Sequence, residues 1–336
     1  MKTSKTKKLL AVGLALMLVF TMFAGCGPAE DEGSDAPETV TEVVKVAALN
    51  GPTGMAMVKL MDQTDKYDIA TFQAPTDVTG KIISGEVDVA AVPSNLAAVL
   101  YNKTEGKVVA VSPVALGVLH ILGNDVQITS VADLAGKTVV ASGQGGTPEY
   151  ALQKVLEHAG LKIYEDVQVE WLANHAEVNT KLQTESGTIA MIPEPFVSTA
   201  LSTGNAAVAK IFDMNTLWTE ATGQGFPMGV LVAQKSFVEE READLKVLLN
   251  DLADSVSFVN EASDEAAALI AEKGFIGKAE IAKAAIPGCN IVLYMGEEGS
   301  QLGASILKTF NQTLFEMAPS AVGGKLPGDD LYYVWK

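Results

Sequence analysis

The sequence predicts an α/β protein of two lobes, and three observations predict it. The first is the stretch from Lys137 to Gly160, which reads as a strand, a glycine loop and a helix. The second is recurrence of that unit, twice before Gly117 and twice after it. The third is an imperfect internal repeat at an offset of 100 residues.

Within the first stretch, Thr138 to Ala141 is rich in β-branched residues, as a buried strand requires. Gly143, Gly145 and Gly146 allow backbone turns that a Cβ forbids. Thr147 and Pro148 form a helix start, and Leu152, Val155, Leu156 and Ala159 give one apolar face, which Gly160 terminates. The positive end of that helix then faces the space beyond the strand, where open α/β sheets bind ligands.

The other units are predicted at three places. They are a strand over 43–49 with a helix over 55–61, a strand over 87–92 with a helix over 96–102, and a strand over 188–192 with a helix over 196–202. Val78, Lys81, Ile82, Val89, Ala90, Val92 and Pro93 match Val178, Lys181, Leu182, Ile189, Ala190, Ile192 and Pro193. The preceding glycines, Gly85 and Gly187, are out of step by two places. The segments Gly117–Leu122 and Gly229–Ala233 bracket the second lobe as two crossing strands, a double-strand hinge. After Ala233 the pattern is helical: 238–259, 266–272, 279–285 and 302–317, followed by a loop and the apolar tail Leu331–Trp335 docking on the first lobe.

The chain starts with four lysines in residues 1–8, then an apolar run from Leu9 to Ala24, the two regions of a secretory signal. That run is short for a spanning helix. Phe23-Ala-Gly-Cys26 resembles the lipobox of bacterial lipoproteins, with phenylalanine where leucine is expected. The resemblance implies a signal peptide over 1–25 and a Cys26 thiol that accepts diacylglycerol; an uncleaved anchor is the alternative. Residues 26–42 are then an acidic tether, too poor in large apolar side chains to fold. The organisation that follows is lobe 1 over 43–120 and 230–336, and lobe 2 over 121–229.

The formal charge of −17 disfavours nucleic acid and anionic lipid surfaces as partners. Acylation of Cys26 leaves Cys289 alone, so no intramolecular disulfide is expected. Three scattered histidines (His120, His158, His175) argue against both a metal site and a Ser-His-Asp triad, and no G-x-S-x-G elbow is present. Gly143-Gln-Gly145-Gly-Thr-Pro148 lacks the third glycine of a dinucleotide motif and the lysine of a P-loop, so no cofactor is expected.

Signal with lipobox, two α/β lobes, Asp133-Leu-Ala-Gly-Lys137 before the second-lobe strand, and the Pro193-Glu-Pro-Phe196 turn together resemble the solute-binding lipoproteins of ABC importers. The similarity is to the branch that takes nitrate, sulfonates, taurine or thiamine precursors. It implies the type II periplasmic-binding-protein fold, a non-enzymatic monomer outside the cytoplasm held by a lipid anchor, a small-molecule ligand and a membrane permease as partner. It places ligand contacts at Asn50, Gly51, Thr53, Gly54, Ser94 and Asn95 of lobe 1, and at Gly145, Gly146, Thr147, Glu194 and Phe226 of lobe 2. Arg241, the single arginine, falls on a charged helix, so no guanidinium clamp for an oxoanion is expected. Glu194 then favours an amine or N-heterocycle over an anion. Some menaquinone-pathway lyases resemble the same architecture and make an enzyme the alternative; a tethered sensor shares every feature of the receptor. If the thiol is the anchor, Cys26→Ser is expected to move the protein from the membrane fraction to the soluble one. Equal retention of the mutant would identify the apolar run as the anchor.

Overall fold

The computed structural model describes residues 39–335. The predicted signal, Cys26 and most of the tether lie outside the described residues. Ten strands form two five-stranded sheets among the described residues. In chain order they are β1 (Val44–Leu49), β2 (Tyr67–Phe72), β3 (Val89–Pro93), β4 (Val108–Ala115), β5 (Leu119–Asn124), β6 (Thr138–Ser142), β7 (Gln168–Leu172), β8 (Ile189–Pro193), β9 (Val208–Asp213) and β10 (Gly229–Gln234). The first sheet runs β2-β1-β3-β10-β4 and the second β7-β6-β8-β5-β9. In each, three parallel strands meet an antiparallel pair, and the antiparallel strand beside the centre belongs in sequence to the other side of a crossover. This is the two-lobed α/β fold with two crossings.

The helices are α1 (Pro52–Met55), α2 (Pro75–Ser84), α3 (Ser94–Lys103), α4 (Thr147–His158), α5 (His175–Thr184), α6 (Phe196–Ser202), α7 (Met214–Thr222), α8 (Lys235–Glu240), α9 (Glu242–Asn260), α10 (Asp264–Glu272), α11 (Ala279–Ala285) and α12 (Gly296–Met317). The repeat at 100 residues is structural. Helices α2 and α5 start at 75 and 175, and β3 and β8 span 89–93 and 189–193. Their parallel registers agree too, with Val46 opposite Val89 and Val139 opposite Ile189.

The crossings occupy Leu116 to Val118, between β4 and β5, and Gly223 to Met228, between α7 and β10. Gly117 and Gly229 serve there by smallness, not by unusual φ. A Cβ on Gly117 would lie 2.4 Å from the Asn215 side chain, and one on Gly229 would lie 2.5 Å from Thr53 Cγ2. One apolar cluster includes Ala47 and Val92 of the first sheet with Ile121 and Val139 of the second, so the lobes share core.

Two helical expectations are corrected. The predicted helix over 55–61 is only the four-residue α1 followed by tight turns. The predicted helix over 238–259 is broken at Arg241, which leaves helical geometry at φ −129° and gives α8 and α9. Its guanidinium binds Asp244 at 2.6 Å and the Glu42 carbonyl at 2.5 Å, and Asp244 also accepts from Thr41. Arg241 therefore fastens the start of the first strand. The tail docks as expected, with Tyr333 N–H donating to Ala110 and Trp335 N–H to Ser300 Oγ, both at 2.9 Å.

Gly54 starts from the same smallness argument. A Cβ there would meet Phe275 at 2.4 Å and the Leu49 carbonyl oxygen at 2.8 Å, and the latter cannot swing away. Gly54→Ala is expected to cost about 1–3 kcal/mol of stability, read as a lower denaturation midpoint with unchanged slope.

Candidate functional site

The parallel strands of both sheets end on one gap, so the loops after them face each other. Asn50 and Gly51 follow β1, Gln73 and Pro75 follow β2, and Pro93 closes β3. Across the gap, Gly143 to Pro148 follow β6, Asn174 and His175 follow β7, and Pro193 to Phe196 follow β8. These loops, with Leu96, Lys103 and Met228, enclose a cavity of about 720 Å³. A narrower recess of about 150 Å³ adjoins it, walled by Thr53, Val92, Ala115, Val118 and Glu194. Cavities of this size suit small-molecule ligands.

The glycine loop does not offer its amides as the sequence suggested. Gly143 and Gly145 turn with φ of 88° and 77°. The Gly145 N–H then donates to Glu149 Oε2 at 2.6 Å, and the Gly146 N–H to the Gly143 carbonyl at 3.1 Å. Tyr164 donates to the other Glu149 oxygen and accepts from Trp171 Nε1 at 3.1 Å. A carboxylate of the chain thus occupies the position an anionic ligand would take. Thr147 sends its hydroxyl across the gap to Asn95 Oδ1 at 3.2 Å, and Asn95 Nδ2 donates to the Ala321 carbonyl at 3.3 Å. These two expected residues tie the lobes together.

Asn50, Gly51, Thr53, Asn95, Gly145, Gly146, Thr147 and Glu194 all line the main cavity or its recess. Gly54 instead lies under Phe275, as described above. Ser94 is sealed, its hydroxyl without a partner and without a capping bond. Phe226 is corrected most plainly: it is 0 % exposed and stacks on Trp218 at 4.8 Å, with Phe310 at 6.4 Å. It is core, drawn in by aromatic contacts far apart in sequence.

Glu194 is 3 % exposed, and its carboxylate faces its own helix. Oε2 accepts from Ser198 N–H at 3.0 Å and Oε1 from Ser198 Oγ at 3.1 Å, which satisfies the first turn of α6. Burial pushes this carboxyl above the usual range, while the two Ser198 bonds pull it back. Gly288 of the first lobe packs against it so closely that a Cβ would sit 2.9 Å from Oε1. Glu194 is thus a capping group at a contact between lobes.

His175 and Phe196 are the residues that sequence reasoning missed. His175 opens α5 and lines both cavity and recess, and its Nδ1 lies 2.5 Å from the buried Ser142 Oγ. Its ring meets Phe196 at 5.5 Å. The repeat held the signal: 100 residues earlier stand Pro75 and Leu96, which line the same cavity from the other side. Lys103 is the one charged residue among those lining the main cavity. Among the described residues no cluster of His, Cys, Asp and Glu is placed to hold a metal ion, and no helix is long and apolar enough to cross a membrane.

A family model described as menaquinone biosynthesis matches residues 55–286. No curated protein matches the sequence. Among solved structures, an ABC transporter protein from Parabacteroides distasonis is similar with a TM-score of 0.73 and 21% identity, covering 88% of this chain and 100% of that one. The periplasmic aliphatic sulphonate binding protein SsuA from Escherichia coli is similar with a TM-score of 0.66 and 19% identity, covering 88% and 92%. The periplasmic nitrate-binding protein NrtA from Synechocystis PCC 6803 follows with 0.59 and 11%, covering 88% of each chain. At such identities the likeness establishes the fold.

Two histidines, His120 buried and His175 half-buried, give the fold a pH dependence. Burial pushes His175 down to about 4, and it does the same to His120, whose two ring nitrogens have no partner. In the unfolded chain each titrates near ~6.5. The folded state therefore binds fewer protons between those values, and stability falls as pH drops from about 6.5 towards 4. Glu194, raised by burial, works with the opposite sign, losing stability as pH rises. Comparing wild type with His120→Leu and with His175→Gln cancels that term. Urea denaturation at pH 7 and pH 5 is expected to show a smaller acid loss in each variant, and equal losses would mean that the folded imidazoles protonate freely.

Proposed function

The chain belongs to the menaquinone biosynthesis family, yet from its cleft and the binding proteins that share its fold we propose that it is a solute-binding receptor, not a catalyst. It captures a small solute between its lobes and hands it to an ABC importer. The observation that carries the reading is the cavity of about 720 Å³ bounded by matching loops of both sheets, with Asn95 and Thr147 joined across it. Contacts to both lobes exist only when the lobes are together, so a solute that fills the gap favours closure. The leader and lipobox support a location outside the cytoplasm on a lipid anchor, beside such a permease. The solved structures of similar fold include binding proteins for sulphonate and nitrate, which supports the same role.

The walls restrict the solute. Leu49, Leu96, Phe196 and Met228 are apolar, and neutral amides and hydroxyls supply most polar contacts. That suits a compact solute with an apolar body and a few hydrogen-bonding groups.

A second reading, an enzyme on the same fold, draws on the family description and on His175 in the cavity. The histidine has no carboxylate partner, and the Ser142 hydroxyl against it is 3 % exposed, out of reach for attack on a substrate. A thermal-shift screen of purines, pyrimidines, sulfonates, nitrate, aromatic acids and amines separates the two. A receptor ligand at 100 times its Kd is expected to add about 2.7 kcal/mol of stability and to be recovered unchanged. Recovery of a chemically altered compound would establish the enzyme reading instead.

A further inference from the structure

The cleft contains one polar group whose orientation is set by the protein and whose partner is not. Ser142, the last residue of β6, is buried, and among the described residues its hydroxyl has a single hydrogen-bonding neighbour, Nδ1 of His175. A buried hydroxyl without another acceptor gives its proton to that nitrogen. An imidazole that accepts at Nδ1 and is neutral carries its own proton on Nε2. That nitrogen is neither bonded to protein nor among the sealed polar atoms, and the ring lines the cavity. His175 therefore shows the cleft a neutral N–H donor.

The surroundings decide what that donor meets. No carboxylate lines the main cavity, and two that flank its second-lobe loops are occupied, Glu149 by Gly145 and Tyr164, Glu194 by Ser198. An ammonium entering the cavity would lose water and find no counter-charge among the lining residues. An acceptor oxygen or ring nitrogen would find His175 within and Lys103 at the rim. Phe196, tilted against His175, supplies a flat apolar wall beside the donor.

We propose that His175, held in one tautomer by Ser142, is the specificity-determining donor of the cleft, and that it selects planar, mostly apolar solutes bearing a hydrogen-bond acceptor and rejects ammonium solutes. This rests on the receptor reading and reverses the preference for amines that Glu194 suggested in sequence. Ser142 is a positioning residue: its hydroxyl bonds to the imidazole, and its removal frees the ring to exchange tautomers.

The test uses nicotinamide as the neutral acceptor probe, benzoate as the anionic one and benzylammonium as the cationic one. Long-range proton–nitrogen NMR of histidine-labelled protein is expected to show His175 protonated at Nε2, and nicotinamide and benzoate are expected to shift that resonance. Binding of both probes should weaken about tenfold in His175→Phe, the loss of one hydrogen bond to a buried partner, and recover in part in His175→Gln. Ser142→Ala, which keeps the ring, should show mixed tautomers and weaker binding; it carries the test if His175→Phe fails to fold. A proton on Nδ1, equal binding by wild type and His175→Phe, preference for benzylammonium, or no response to any probe would overturn the proposal. The receptor reading is judged separately: a hit from the solute screen that binds equally well without His175 leaves it standing.

Discussion

A proline without an amide hydrogen ends the central parallel strand of each sheet, and the cleft depends on that. Pro93 closes β3 opposite Gly229, and Pro193 closes β8 opposite Leu119. Neither proline can donate a ladder bond, and the chain leaves the sheet after one further bond in each case, Ser94 N–H to the Met228 carbonyl at 3.2 Å and Glu194 N–H to the Val118 carbonyl at 2.9 Å. It leaves into α3 and α6, whose first turns then point into the gap. The antiparallel neighbours, β10 and β5, are the two strands that have just come over from the opposite lobe. The same residue pair that ends the sheet therefore also fixes where the lobes are joined.

Much of this was legible because it is local or periodic. The strands β6, β8 and β10, the glycine loop and the helix over 196–202 follow from β-branched runs, glycines and prolines in short windows. What escaped depends on partners distant in sequence. Phe226 reads as a cleft residue until Trp218 and Phe310 close around it. The Gly145 amide reads as a ligand donor until Glu149, one turn into α4, bends back to take it. Arg241 reads as helical until the Glu42 carbonyl and Asp244 draw its guanidinium to the chain's first strand. His175 stands 100 residues after Pro75, and the two line one cavity, a relation that the repeat offers only once the cavity is known.

The electrostatics of the cleft do not follow from those of the chain. A formal charge of −17 suggests an acidic site, yet the main cavity carries one lysine and no carboxylate. Glu149 and Glu194, which flank its second-lobe loops, are taken up by local backbone and hydroxyl donors. A lining with a single charge leaves most of recognition to hydrogen-bond direction and shape. Direction is what a histidine of fixed tautomer provides, since exchanging donor for acceptor at Nε2 changes the solute it admits.

In the closure proposed above, two contacts between the walls act with opposite sign. Asn95 with Thr147 contributes one neutral hydrogen bond across the gap, worth about 1 kcal/mol net. Against it stands Glu194, whose carboxyl is kept from water where Gly288 of the opposite lobe packs on it. Parting the lobes breaks the first contact and rehydrates the second. A solute that touches both walls at once adds to the first contact and offsets the second. A solute spanning Asn50 on one side and His175 on the other shifts that balance by its full differential affinity, which is the most any ligand can do.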